Sequence, residues 1–116
     1  MAKRGERVAP PGRPGAWEAR FSTSEAAKGW EELCRVAAAN AYQAWLALTE
    51  RPTTPENRVR QHRLRGSLAT RSVSGNDLEQ WQYEVTAGGR IWYCPDADRS
   101  IVWVVDASPR HPKATE

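Results

Sequence analysis

The sequence predicts an α+β fold: an N-terminal strand, one long helix or two helices in a hairpin, then a three- to four-stranded antiparallel meander forming a curled sheet with the helices on one face. Three observations carry this expectation. Apolar residues recur at steps of three and four from Ala26 to Leu48, they alternate with polar ones from Trp81 to Val85, and Gly- and Asn-containing turns punctuate the second half of the chain.

Trp17-Glu18-Ala19-Arg20-Phe21 alternates apolar and charged residues, the pattern of a half-buried strand. Ser22 and Glu25 stand at capping-box spacing, which satisfies free amides in a helix's first turn. Ala26, Trp30, Leu33, Cys34, Ala37, Ala41, Trp45 and Leu48 then form an amphipathic helical stripe. Arg51-Pro52 ends it, because the residue before proline is pushed out of helical geometry. Unbroken, Ser24–Glu50 would run ~40 Å at ~1.5 Å per residue. A domain of this size has a radius of gyration near ~13 Å. A bend or short loop is therefore expected around Ala38–Ala41, although the alanines there also permit one continuous helix.

Pro52–Asn57 reads as a loop, and Val59–Leu64 and Leu68–Val73 as short strands around Gly66. Ser74-Gly75-Asn76-Asp77 is a turn signal between two strand patterns. In Trp81–Thr86, Trp81, Tyr83 and Val85 share one face and Gln82, Glu84 and Thr86 the other. Gly88-Gly89 supplies the next tight turn, Arg90–Cys94 the next strand and Pro95–Asp98 the turn after it. Ile101–Val105 is apolar throughout, as a strand covered on both faces should be. The helical stripe is expected to pack against Trp103 and Val105. Trp17, Trp30, Trp45, Tyr83 and Tyr93 are expected in the core as well, whereas Trp81 and Trp92 are open between packing and stacking on a nucleic-acid base.

A chain of 116 residues fits one domain and one main core. Residues 1–16 hold Pro10, Pro11 and Pro14 and little that is apolar, so they read as a flexible basic arm preceding a domain over 17–116. No apolar run approaches the ~20 residues of a membrane span, and no apolar leader opens the chain. Cys34 and Cys94 make no C-x-x-C pair. A cytoplasmic protein with reduced thiols, and no membrane partner, is expected.

The net charge of +3 equals the local excess of the arm, so the rest of the chain is neutral. What survives is polarity: Arg51, Arg58, Arg60, Arg63, Arg65 and Arg71 share their segment with a single acid, Glu56. Acids collect instead at Glu25–Glu32 and Asp96–Asp106. Such a distribution steers a charged partner to one face. His62 and His111 belong to no motif with metal-ligand spacing, and there is no phosphate-cradling glycine loop, G-x-S-x-G or Cys-His signature. No metal and no cofactor are expected.

Arg63-Leu64-Arg65-Gly66, a strand, Arg90-Ile91-Trp92-Tyr93, and an apolar strand followed by Arg110-His111 occur in this order. This succession, over Trp17–Glu116, resembles the RelE/ParE superfamily of small bacterial toxins from toxin–antitoxin pairs. The resemblance implies the same α+β architecture and a cognate protein antitoxin in a hetero-oligomeric complex, an acidic amphipathic segment covering the arginine-bearing face. For RelE-like members it implies metal-independent cleavage of mRNA on the ribosome by attack of the RNA's own 2′-hydroxyl, which arrests translation. That reaction needs a base for the hydroxyl, cations around the phosphate and an acid for the departing 5′-oxygen. By position, Arg90 and Arg110 would hold the phosphate and His111 would transfer a proton. Arg63, Arg65 and Lys113 would bind the RNA backbone. Glu84 is a candidate carboxylate base, with a cross-strand ion pair to Arg90 as its alternative, and His62 reads as plain surface. The chain lacks cations at Gln82 and Glu84 and an aromatic near its end, where some relatives carry them. These departures keep a second expectation open, a ParE-like inhibitor of DNA gyrase without enzymatic activity, and a third, a non-toxic binding module of the same fold.

Overall fold

The structure, a computed structural model, describes residues 4–5 and 15–109, and these form the expected α+β fold. Strand β1 (Glu18–Phe21) leads into α1 (Ser24–Val36) and α2 (Ala38–Glu50). Then follow β2 (Gln61–Arg63), a 3₁₀ turn at Gly66–Leu68, β3 (Thr70–Val73), β4 (Asn76–Glu79), β5 (Trp81–Glu84), β6 (Arg90–Asp96) and β7 (Ile101–Ser108). The main sheet has the order β1-β7-β6-β5-β2, and β3 and β4 form a separate hairpin. The meander β5-β6-β7 is antiparallel as expected, but β1 joins β7 in parallel, so the sheet is mixed. No helix among the described residues is long and apolar enough to cross a membrane. Of the expected arm, Arg4 and Gly5 are described: Gly5 donates its N–H to Phe21 O at 2.9 Å and accepts from Arg20 at 3.1 Å. Residues 1–3 and 6–14 lie outside the described residues.

The helix start lies one residue beyond the expected cap. Thr23 Oγ1, not Ser22, accepts from Ala26 N at 3.0 Å. Ser22 is still engaged with the sheet, its N–H donating to Val104 O at 2.9 Å, so it is not free to open the helix. The helical stripe breaks at Ala37, whose φ of −148° and ψ of 57° leave the helical region. Two short helices result, as compactness requires. Asn40 ties the second to the sheet, donating to Val85 O at 2.8 Å. Gly29 lets α1 approach β7: a Cβ there would lie 1.8 Å from the Ala107 carbonyl oxygen.

Two apolar clusters sandwich the sheet. On the helix side, Ala26, Trp30, Leu33, Ala41, Trp45 and Leu48 pack with Phe21, Ile91, Tyr93, Val102, Val104 and Ala107. On the other side, Trp92, Cys94, Val105 and the half-buried Trp103 pack with Val73, Leu64, Leu68 and Leu78. The expected contact of the helical stripe with Trp103 and Val105 is thus corrected. Alternation places Val102 and Val104 toward the helices, and the β3–β4 hairpin covers the opposite face. That hairpin turns on Ser74-Gly75 alone, with φ of +52° and +84°, the paired positive values a two-residue turn of type I′ needs. Asn76 and Asp77, expected in the turn, therefore open a strand of their own.

A β-bulge decides what faces the hairpin side near the end of β7. Trp92 pairs with Asp106 and Tyr93 with Val104, which leaves Val105 as the extra residue. Val105 packs into the hairpin cluster while the next residue, Asp106, reaches Arg90 beside it. Ala107 then returns to the helix side.

Candidate functional site

The Arg63-Leu64-Arg65-Gly66 motif wraps the open edge of the sheet. Arg63 ends β2, Leu64 turns into the hairpin cluster, and Arg65 precedes the 3₁₀ turn in extended geometry. Gly66 takes a φ of +63°, which explains glycine at that position. The segment is strapped from behind by buried Gln80, whose Nε2 donates to Leu68 O at 2.8 Å and whose backbone O accepts from Leu64 N at 2.9 Å.

Beneath β2 lies a buried polar brace. Gln61 Nε2 donates to Arg51 O and to Tyr93 Oη, both at 2.8 Å, and Tyr93 Oη donates to Pro52 O at 2.7 Å. Burial pushes the Tyr93 phenol well above its ordinary range, so this oxygen keeps its proton as a donor. The brace holds the edge strand against the end of α2. Ahead of β2, Asn57 Oδ1 accepts from Val59 N and Arg60 N at 3.0 Å each, folding the loop that carries Arg58.

These elements enclose an open groove of about 680 Å³. Arg58, His62, Arg63 and Arg65 line it together with Gln61 and Trp81, and no lining side chain is acidic. Arg63 is steadied by Glu79 at 3.4 Å, whereas Arg58 and Arg65 make no ion pair among the described residues. Trp81 is a fixed wall, stacked on Tyr93 at 6.4 Å between ring centroids and donating its Nε1–H to Glu79 at 3.2 Å. A separate groove of about 430 Å³ is lined by Asp77, Glu79, Asp96 and Asp98. The charge polarity of the sequence is therefore a feature of the folded surface.

Arg90 occupies a different place. Only 1% of it is exposed; its guanidinium carbon lies 4.5 Å from the Trp92 ring centroid and its Nη2 3.2 Å from Asp106 Oδ2. Desolvation lowers its pKa and Asp106 opposes that shift. Trp92, in turn, donates its Nε1–H to Gln82 Oε1 at 2.8 Å and is buried in the hairpin cluster. Glu84 stands opposite Arg90 across the β5–β6 ladder, at the far end of β5 from Trp81 and Arg63. Three residues of strand, about 10 Å, separate these two ends. The structure thus brings Arg63 and Arg65 together in the groove and sets Arg90 and Glu84 apart from them. Arg110, His111 and Lys113 lie outside the described residues.

In the sequence, Arg58 entered only as one of the arginine run and His62 as plain surface; the structure adds both to the groove lining. Their signal was proximity to the Arg63–Gly66 motif, but nothing in the spacing said that the loop before β2 folds back toward it. Among the described residues no group of three or more His, Cys, Asp or Glu side chains is placed to hold a metal ion. Compared with known proteins, the chain matches no family model, no curated protein and no solved structure.

Proposed function

We propose that this chain is a RelE-like toxin that cleaves mRNA, holding the RNA phosphates in the arginine groove at the sheet edge. The observation that carries the reading is the groove lined by Arg58, Arg63, Arg65 and Trp81, in which Glu79 pairs with Arg63 alone of these arginines. Arginine forks bind two phosphate oxygens at once and stay charged. An aromatic wall offers a surface on which an unpaired base can stack. The same groove is where the acidic segment of a cognate antitoxin would lie, silencing the protein by occupying its phosphate sites. With mRNA positioned by the ribosome, the toxin itself need supply only phosphate contacts and proton transfer.

One observation favours the second reading, a ParE-like gyrase inhibitor that binds without cutting: Arg90 is withdrawn under Trp92 and Asp106. A translating extract separates the two. On the first reading, added protein leaves mRNA with new internal 5′ ends and 2′,3′-cyclic phosphate or 3′-phosphate termini, in EDTA-treated protein as in untreated. Intact mRNA with blocked gyrase supercoiling would overturn it in favour of the second.

A further inference from the structure

We infer that the open edge of β2 accepts an added β-strand from a partner protein, an extended segment whose alternate carboxylates meet Arg63 and Arg65. The inference rests on the antitoxin half of the reading above and adds how the acidic segment is held.

β2 closes one side of the five-stranded sheet, so only one of its edges is paired. Two bonds show which backbone groups that pairing uses: Glu84 N donates to Arg60 O at 2.8 Å, and Leu64 N to Gln80 O at 2.9 Å. In an antiparallel ladder such residues alternate with residues whose N–H and C=O point away from that neighbour. Gln61, His62 and Arg63 stand opposite Tyr83, Gln82 and Trp81. His62 therefore bonds β5 through its backbone, and Gln61 and Arg63 turn their backbone groups outward. Asn57 O takes the Gln61 N–H at 2.9 Å. Gln61 O, Arg63 N–H and Arg63 O find no protein partner among the described residues. Arg65 continues in extended geometry, with φ of −125° and ψ of 168°. Gln61, Arg63 and Arg65 all line the arginine groove, so this free edge borders it.

The free groups identify the occupant. A row that mixes donors and acceptors is completed by another peptide backbone, whereas a phosphate only accepts and leaves the two carbonyls unmet. One residue of an antiparallel strand would exchange both bonds with Arg63, and its side chain would share the face of Arg63. The residue two positions before it would stand opposite Arg65, on the same face by the two-residue period. Carboxylates at these two positions, about 7 Å apart along the strand, would therefore meet both arginines. Arg65 makes no ion pair among the described residues, and the exposed Glu79 beside Arg63, at 3.4 Å, is a contact that an incoming carboxylate can replace. A second copy fits badly, because its own β2 would bring Arg60, Arg63 and Arg65 beside the same arginines here. Cations on an edge strand guard it against such pairing and leave it open to an acidic partner.

The test uses the full chain and a short labelled peptide with glutamates at alternate positions and threonine or valine between them, read by anisotropy. In the paired strand the glutamate nitrogens face β2 and the intervening nitrogens face solvent. N-methylating the glutamate nitrogens should weaken binding about tenfold or more. Methylating the intervening ones should change it by less than about threefold. Arg63→Ala and Arg65→Ala should each weaken the unmodified peptide, as should gathering its glutamates into one consecutive run. Hydrogen exchange at the Arg63 amide, followed by NMR, should slow when the peptide is added. Equal effects of the two methylations, a consecutive-acid peptide that binds as tightly, or an unchanged Arg63 amide would each overturn strand addition and leave charge alone at the groove. So would slowing of that amide by protein concentration alone, the sign of a second copy on the edge, or by a single-stranded 2′-O-methyl oligoribonucleotide and not by the peptide. The ends of mRNA in the translating extract report the other reading separately. Cleaved mRNA with no strand-like peptide binding removes this inference alone, and intact mRNA with strand-like binding removes only the RNA-cleaving reading.

Discussion

Arg90 is held between the face of Trp92, 4.5 Å from guanidinium carbon to ring centroid, and Asp106, 3.2 Å from nitrogen to oxygen. The arginine is buried, whereas 39% of the Asp106 side chain is exposed. The two partners therefore do not respond alike to removal. Asp106→Asn leaves a buried cation without this counter-ion and should cost about 1–3 kcal/mol, less than a fully buried pair would because water reaches the site. Arg90→Met keeps apolar contact with Trp92 and leaves a carboxylate that water can solvate, so it should cost less. Urea denaturation of both variants checks the order; a more damaging Arg90→Met would refute it.

Gly29 makes a second stability test. Alanine is the better helix former by about 0.8–1 kcal/mol in an exposed helix. Here its Cβ would fall 1.8 Å from the Ala107 carbonyl oxygen, which is backbone and cannot swing aside. Gly29→Ala should therefore destabilise by about 1–3 kcal/mol or more as α1 is pushed from β7. An unchanged or raised melting temperature would show that the contact is not tight in solution.

Ser74 carries a φ of +52° in the hairpin turn, a region that asparagine tolerates better than serine. Ser74→Asn, giving Asn-Gly, should stabilise the protein by about 0.5 kcal/mol or somewhat more. The measurement is the urea midpoint at unchanged slope. A lower midpoint would mean that this turn does not hold the register Val73 to Asn76.

Burial raises the Cys94 thiol from its ordinary value near 9 to about 11, with Arg71 opposing, and it raises Tyr93 as well. Both groups are neutral in the fold and ionise more readily when unfolded. Their contribution is full below the unfolded pKa and is lost as pH rises toward the folded one. Stability should therefore fall between pH ~9 and ~11, with Cys94 accounting for about 2 kcal/mol by pH ~10.5. Cys94→Ala, compared with wild type at pH ~8 and ~10.5, should show a smaller alkaline loss. Equal losses would refute the assignment to this thiol.

Oligonucleotide binding in the groove should weaken with salt. Each phosphate neutralised on a single strand contributes about 0.7 to the slope of log K against log salt. Arg58→Ala and Arg65→Ala should each reduce that slope by about 0.7 and weaken binding at low salt. Anisotropy titrations with a labelled single-stranded 2′-O-methyl oligoribonucleotide, which lacks the attacking hydroxyl, at several salt concentrations measure it. A slope unaltered in both variants would place the phosphates elsewhere.

Much of the fold was legible because its signals are local. The helical stripe from Ala26 to Leu48, the alternation at Trp81–Val85 and the Gly88-Gly89 turn each depend on neighbours in sequence, and each forms as expected. A bend was expected around Ala38–Ala41, because a rod of that length does not fit the domain, with one continuous helix left open; the break falls just before that stretch, at Ala37. The cap was missed by one residue because Ser22 is drawn into a bond with Val104, a partner far along the chain.

The site was less legible, for a reason of the same kind. That Arg63 and Arg65 belong together was visible in one short motif, and that acids and arginines segregate was visible in composition. Which face each strand residue serves was not. A one-residue bulge at Val105 changes the alternation, brings Asp106 to Arg90 and buries the cation that sequence pattern alone would present to a substrate. Likewise, the hairpin on the far face takes Trp103 from the helices and packs it against the cluster of Val73, Trp92, Cys94 and Val105. Sequence by itself determined the elements, their order and the polarity of charge, because these follow from the period and spacing of side chains. Only the tertiary structure decided which cations remain at the surface, because burial and ion pairing depend on residues that meet across the sheet.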